Sequence, residues 1–186
     1  MQHSLLKTAT QGSFGGRTLG DAGTAEGDST ALAHQYTPAQ ASAQVVVIYA
    51  DGLTEPTNPG GWGCWAWVAT DGNGTELASG RGCLGHGAGI TNNLSEYRAA
   101  LEATDWALAQ GLRGITLRAD SKLVVEQVAG RWGCYAEHLV PLRDELRTRL
   151  AALEGTIEWV PRSQNERADA LSRLAYHEAR CNGATP

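Results

Sequence analysis

An α/β domain, a mixed sheet carrying helices, is the fold that the sequence predicts, on three observations. Three strand-like runs come first, two of them joined as a hairpin. Leucine-bearing helical periodicities follow, and two further short β-branched runs alternate with them, giving the order βββαβααβα. The 186 residues, 42% hydrophobic and 19% charged, suffice for one core-bearing domain and hardly for two.

Residues 1–44 stand apart, because Gly, Ala, Thr, Ser and Gln make up 29 of those 44. Such a segment buries too little apolar surface to offset its ordering entropy, so a disordered N-terminal tail is expected there. Lys7, Arg17 and the Ser/Thr content would fit a mitochondrial transit peptide, but Asp21, Glu26 and Asp28 do not. The folded domain is expected over residues 45–178, with 179–186 as a C-terminal tail.

Val45–Ala50 is β-branched and apolar on both faces, as befits a strand central in its sheet, and the strand is expected to end at Asp51-Gly52. Pro56, Asn58, Pro59, Gly60 and Gly61 form a turn-rich approach to Trp62–Thr70, Asp71-Gly-Asn-Gly74 and Thr75–Leu84, a strand, turn, strand signature. Trp65 and Trp67 share one face of their strand and read as core. A helix is expected from Asn93 to about Gln110, with Leu94, Tyr97, Leu101, Thr104 and Leu108 on one face and Gly111 as its stop. Asn93 reads as its N-cap and Glu96 as the capping-box partner. Gly114–Ala119 is a strand ending at Asp120, Ser121–Val128 a short helix, and Ala136–Leu153 a longer helix with leucines at 139, 142, 146, 150 and 153. Thr156–Val160 is the last strand, and a helix follows from about Asn165 to His177.

Composition excludes some functions. No uninterrupted apolar run exceeds six residues, against about 20 for a membrane span, and residues 1–7 lack the apolar stretch of a secretory signal. Cys64, Cys83, Cys134 and Cys181 form no C-x-x-C pair and have no histidine at zinc-like spacing. They read as reduced, buried or semi-buried thiols, which favours the cytoplasm. The net charge of −5 argues at first against nucleic acid. Bound divalent cations reverse the local sign of an acidic site, however, so the total is no veto.

Four carboxylates stand at expected element ends: Asp51 after the first strand, Glu96 in a helix's first turn, Asp120 after the fourth strand and Asp169 early in the last helix. If the strands bearing Asp51 and Asp120 are neighbours, the four converge, and the cluster repels itself unless it holds cations. Magnesium suits such a site because it takes carboxylate oxygen and admits phosphate to its shell. Two such ions, about 3.5–4 Å apart, can activate a water and stabilise the leaving oxygen of a phosphodiester.

Five segments carry a resemblance: the strand-Asp51-Gly, Asn58-Pro-Gly-Gly-Trp-Gly, Thr91-Asn-Asn-Leu-Ser-Glu-Tyr-Arg-Ala-Ala100, Asp120-Ser-Lys-Leu-Val-Val, and Trp159-Val-Pro-Arg-Ser-Gln-Asn-Glu-Arg-Ala-Asp169. Over residues 45–178 the chain resembles the type 1 ribonuclease H family. The resemblance implies a ribonuclease H-like fold, a five-stranded mixed sheet with three antiparallel strands then two parallel, flanked by helices. It implies endonucleolytic cleavage of the RNA strand of RNA/DNA hybrids, leaving 5′-phosphate and 3′-hydroxyl ends, with two Mg2+ ions or Mn2+ in their place. Asp51, Glu96, Asp120 and Asp169 would be the catalytic, metal-binding set. In that scheme Asp51 bridges both ions, Glu96 and Asp120 complete one and orient water near the 2′-hydroxyl, and Asp169 serves the other.

Asn58, Asn92 and Asn93 would read 2′-hydroxyls and base edges in the wide minor groove of the hybrid, and Thr91 would hold a DNA-strand phosphate. The chain departs from the family pattern twice. Gly130–Ala136 runs on without the basic protrusion of many members, which implies weak, salt-sensitive binding partly compensated by Trp132 and Arg131. Pro161–Asn165 is too short for the histidine-bearing loop of many members, and Arg162 or Asn165 would fill part of that role. His86 reads as an ordinary exposed histidine. The expected state is a monomer with no membrane association. Alternative readings are a hybrid-binding module with weak catalysis, or another nuclease of the same fold.

Overall fold

The computed structural model describes residues 45–183, so the expected N-terminal tail and residues 184–186 lie outside the described residues. Five strands form one sheet: β1 (Val47–Glu55), β2 (Trp62–Thr70), β3 (Glu76–His86), β4 (Thr116–Ala119) and β5 (Thr156–Trp159). Their order is β3-β2-β1-β4-β5. The pairs β1–β2 and β2–β3 are antiparallel, while β1–β4 and β4–β5 are parallel. The helices are α1 (Asn92–Ala109), α2 (Lys122–Val128), α3 (Val140–Ala152) and α4 (Glu166–Gly183), the last preceded by a 3-10 turn at Arg162–Gln164. Mixed topology and βββαβααβα order agree with the sequence reading.

Strand alternation splits the core between the two faces of the sheet. Val46 just before β1, Ile48 and Ala50 of β1, and Trp65 and Trp67 of β2 pack beneath α1 and α3, as expected of those tryptophans. Ala66 and Val68 meet Ala168 and Leu171 of α4, and Leu53 and Cys64 meet Ala175 and Tyr176. In α1, Ala99, Ala100, Ala103 and Ala107 are all buried, and their small side chains let the helix lie close on the sheet. Among the described residues, no helix is long and apolar enough to cross a membrane.

Four local expectations need correction. β1 does not stop at Asp51 but runs on to Glu55, because β2 stays paired with it as far as Glu55↔Trp62. The N-cap of α1 is Thr91, whose Oγ1 accepts from the Leu94 N–H at 3.2 Å, so Asn93 and Glu96 do not form the capping box. α3 starts at Val140 rather than Ala136, with Pro141 in its first turn, where the missing N–H costs nothing. α4 continues to Gly183, beyond the end expected near His177.

The cysteine reading also changes. Cys64 and Cys83 form a disulfide across β2–β3, leaving Cys134 and Cys181 as the free thiols among the described residues. Carrying the Thr70↔Glu76 register straight along the hairpin would place Cys64 opposite Gly82. A shift between Ala69 and Thr70 brings Cys64 opposite Cys83 instead. The inference from reduced thiols to a reducing compartment therefore loses two of its four residues.

Candidate active site

The site forms where the parallel pairing of β1 with β4 stops. The last pair is Ala50↔Ala119, so the next residues, Asp51 and Asp120, emerge side by side. β4 ends there, whereas β1 continues along β2, opening a notch at the carboxyl end of the sheet. Asp51 follows Tyr49 and precedes Leu53 on the α4 face, and Ser172 of α4 donates to its Oδ2 at 2.5 Å.

Glu96 arrives from the opposite side. A Cβ on Gly52 would lie 2.2 Å from the Glu96 backbone nitrogen, so the first turn of α1 rests directly on β1, an approach only glycine permits. The Gly52 N–H then donates to Glu96 Oε2 at 3.0 Å, and Asn92 Nδ2 to Oε1 at 3.4 Å. Asp51, Glu96 and Asp120 each offer a carboxylate oxygen, and the three oxygens lie within 4.8 Å of one another. Oxygens sharing one magnesium ion sit about 3.0 Å apart when adjacent and about 4.2 Å when opposite, so an ion bound here would draw the three carboxylates inward.

Electrostatics also favours a cation. Burial pushes the Asp51 carboxyl from 3.8 up to about 7; the neighbouring Asp120 and Asp169 charges add to the rise, while the Ser172 hydrogen bond and the Arg162 charge oppose it. Burial, then the charges of Asp51 and Asp120, hold Glu96 well above the usual carboxylate range. Both acids thus bind their protons more tightly than free carboxyls do, and a divalent ion offsets the burial and mutual repulsion that cause the rise.

Asp169 stands outside this trio. Arg162 donates to its Oδ1, and Arg173 Nε donates to its Oδ2 at 3.0 Å. Arg173 also reaches Glu55 Oε1, at 3.4 Å, on the part of β1 beyond Asp51. The structure thus brings three predicted carboxylates together and holds the fourth nearby between two guanidinium groups.

The other predicted residues fall into three groups. Asn58, Thr91, Asn92 and Asn93 cluster at the start of α1: the Asn58 carboxamide oxygen accepts from the Asn92 N–H at 3.0 Å, and Thr91 caps the helix. Trp132 and Arg162 are exposed, with the Lys122 ammonium 6.0 Å from the Trp132 ring centroid. Arg131, expected to help compensate for the missing protrusion, is paired with Glu126.

Asn165 must be corrected. At 1% exposure it cannot touch a substrate; its Nδ2 donates to Ala50 O at 2.9 Å and to Asp120 Oδ1 at 3.3 Å, tying the start of α4 to both strands of the notch. The sequence reading missed Gly52, Ser172, Arg173 and Glu55. For Ser172 and Arg173 a signal existed, since residues three and four after Asp169 share its helix face.

Residues 51–175 match the reverse transcriptase-like family. A bifunctional protein of Mycobacterium tuberculosis is 36% identical over 136 residues, covering 72% of this chain and 36% of its own length. The chain therefore spans about a third of that relative. The structure of that relative's N-terminal RNase H domain superposes with a TM-score of 0.69 at 33% identity, covering 76% of this chain and 100% of that one. Ribonuclease HI of Halobacterium salinarum is 37% identical over 132 residues, covering 70% of this chain and 64% of its own. Its crystal structure matches with a TM-score of 0.66 at 36% identity, over 72% of this chain and 98% of that one. A compost-derived RNase H1, solved in complex with an RNA/DNA hybrid, has a TM-score of 0.66 at 26% identity, over 72% of this chain and 98% of that one. With the sheet order, the carboxylate notch and these matches agreeing, the chain belongs to the type 1 ribonuclease H family.

Proposed function

We propose that this domain hydrolyses the RNA strand of RNA/DNA hybrids endonucleolytically, leaving 5′-phosphate and 3′-hydroxyl ends, as a monomer that uses Mg2+ or Mn2+. The observation that carries the proposal is the set of three carboxylate oxygens, from Asp51, Glu96 and Asp120, within 4.8 Å in a chain of this family. Two divalent ions bound there supply an activated water and charge stabilisation for the leaving oxygen.

The chain's own residues do the rest. Asp51, Glu96 and Asp120 would hold the ions, and Asn165 keeps Asp120 in register with the end of the β1–β4 pairing. Asp169 would help to hold a second ion, and the exposed Arg162 beside it is placed to meet a phosphate oxygen of the substrate. Asn58, Asn92 and Asn93 present amides beside Glu96 to the minor groove, where the 2′-hydroxyl distinguishes RNA from DNA. Trp132 and Lys122 offer a flat, cationic contact for the nucleic-acid backbone.

A second reading, hybrid binding with weak turnover, is favoured by the two arginines on Asp169. One experiment separates the two: end-labelled RNA is presented as an RNA/DNA hybrid and as an RNA duplex, beside a DNA duplex, in magnesium or manganese. The expected result is cleavage of the RNA in the hybrid alone, with products that a polymerase extends from their 3′ ends. Retention of the hybrid without cleavage would favour the binding module, and comparable cleavage of all three duplexes would contradict the proposal.

A further inference from the structure

We propose that Ser172 is a positioning residue for this reaction, orienting the Asp51 carboxylate toward Glu96 and Asp120; the proposal rests on reading that cluster as a divalent-cation site. Ser172 is fully buried in α4, one turn beyond Asp169. Its Oγ lies 2.5 Å from Asp51 Oδ2 and 2.9 Å from the Asp169 carbonyl oxygen. A hydroxyl has one proton, and an ionised Asp51 and a backbone carbonyl are both acceptors, so the two compete for it.

The competition has a clear winner. A bond to a carboxylate is charge-assisted and about twice as strong as one to a neutral carbonyl, so the Ser172 O–H donates to Asp51 when that group is ionised. The carbonyl of the residue three back is the partner that a helical serine uses when nothing better is offered. It gives the hydroxyl a second resting place without leaving it unpaired.

Asp51 needs such a partner. Its backbone is fixed by pairing with Ala66 of β2, so the remaining freedom is rotation of the side chain. Fixing Oδ2 stops that rotation and sets how the carboxylate faces Glu96 and Asp120. The same helical turn carries Arg173, whose guanidinium bridges Asp169 and Glu55. One turn of α4 thus fixes the two acids nearest to it by separate contacts. An alanine would occupy the same place in the helix, so the hydroxyl is what position 172 contributes beyond packing.

Calorimetric titration of the protein with manganese alone, together with kcat and KM on an RNA/DNA hybrid and Tm, tests this on wild type, Ser172→Ala and Ser172→Thr. Loss of a side chain that orients a metal ligand costs roughly 10- to 100-fold in metal affinity or activity. Ser172→Ala is expected to bind manganese about tenfold more weakly and to lose about tenfold in kcat, with KM unchanged and Tm lowered only by the loss of one buried hydrogen bond, while Ser172→Thr stays within about threefold of wild type because it keeps the hydroxyl. Wild-type manganese affinity and kcat in Ser172→Ala overturn the proposal, as does a loss confined to KM or Tm. The titration needs no nucleic acid. A wild type that binds manganese but leaves the hybrid intact therefore contradicts the proposed function, while the metal affinities still decide the role of Ser172.

Discussion

In EDTA at about pH 8, Asp51→Asn is expected to be more stable than wild type by on the order of 3 kcal/mol, and to melt several degrees higher. The Asp51 carboxyl is raised from 3.8 to about 7, chiefly by burial. The folded state therefore binds this proton more tightly than the unfolded chain does, and the stability this group lends falls as pH rises from about 4 to about 7. Asparagine mimics the neutral acid and still accepts from Ser172, so it escapes that fall. Below about pH 4 both states of the wild type are protonated, and the advantage of the variant disappears. Magnesium acts in the opposite direction: it binds the folded wild type and raises its Tm, but binds the variant, which lacks one carboxylate of the cluster, more weakly. Melting curves at several pH values, with and without magnesium, check the sign at each step. A variant less stable than wild type in EDTA at about pH 8 would remove the electrostatic argument for a cation site.

Gly52→Ala is expected to destabilise the fold by about 3 kcal/mol or more, measured by urea unfolding, and to abolish cleavage. The added methyl would sit 2.2 Å from the Glu96 nitrogen and 2.3 Å from the Ser95 carbonyl carbon. Both are backbone atoms of α1, so no rotamer change relieves the clash. The whole first turn of α1 must lift from β1, and Glu96 loses its hydrogen bond from the Gly52 N–H as it goes. Because the same displacement breaks the packing and separates Glu96 from Asp51, stability and activity should fall together. A Gly52→Ala protein of wild-type stability and activity would show that α1 does not rest on β1 as described.

Much of this arrangement was legible in the residues. The order of elements follows from strand and helix periodicities, and Asp120 and Asp169 were placed correctly because they border a short strand and open a strongly patterned helix. Asp51 was misplaced relative to its strand, since Gly52 reads locally as a break. Gly52 serves the approach of α1, and pairing with β2 carries the strand past it. The Cys64–Cys83 bond depends on a register shift that spacing alone does not reveal. Asn165 has the amide of a substrate-binding residue, and only the packing of α4 against the notch shows that it faces inward. The pairing of Asp169 with Arg162 and Arg173 likewise depends on how the 3-10 turn folds back on α4.

The central claim is that the Asp51, Glu96 and Asp120 notch hydrolyses hybrid RNA through bound divalent ions. Its most direct test is the rate of RNA cleavage in an RNA/DNA hybrid by wild type and by Asp120→Asn, at matched magnesium and again in EDTA. The side chain of asparagine keeps the size of Asp120 and its place beside Asn165, but lacks the charge. The account predicts cleavage by wild type in magnesium, none in EDTA, and a loss of about 1000-fold or more in Asp120→Asn with hybrid binding retained. Cleavage that persists in EDTA, or in Asp120→Asn at a rate near that of wild type, would contradict it.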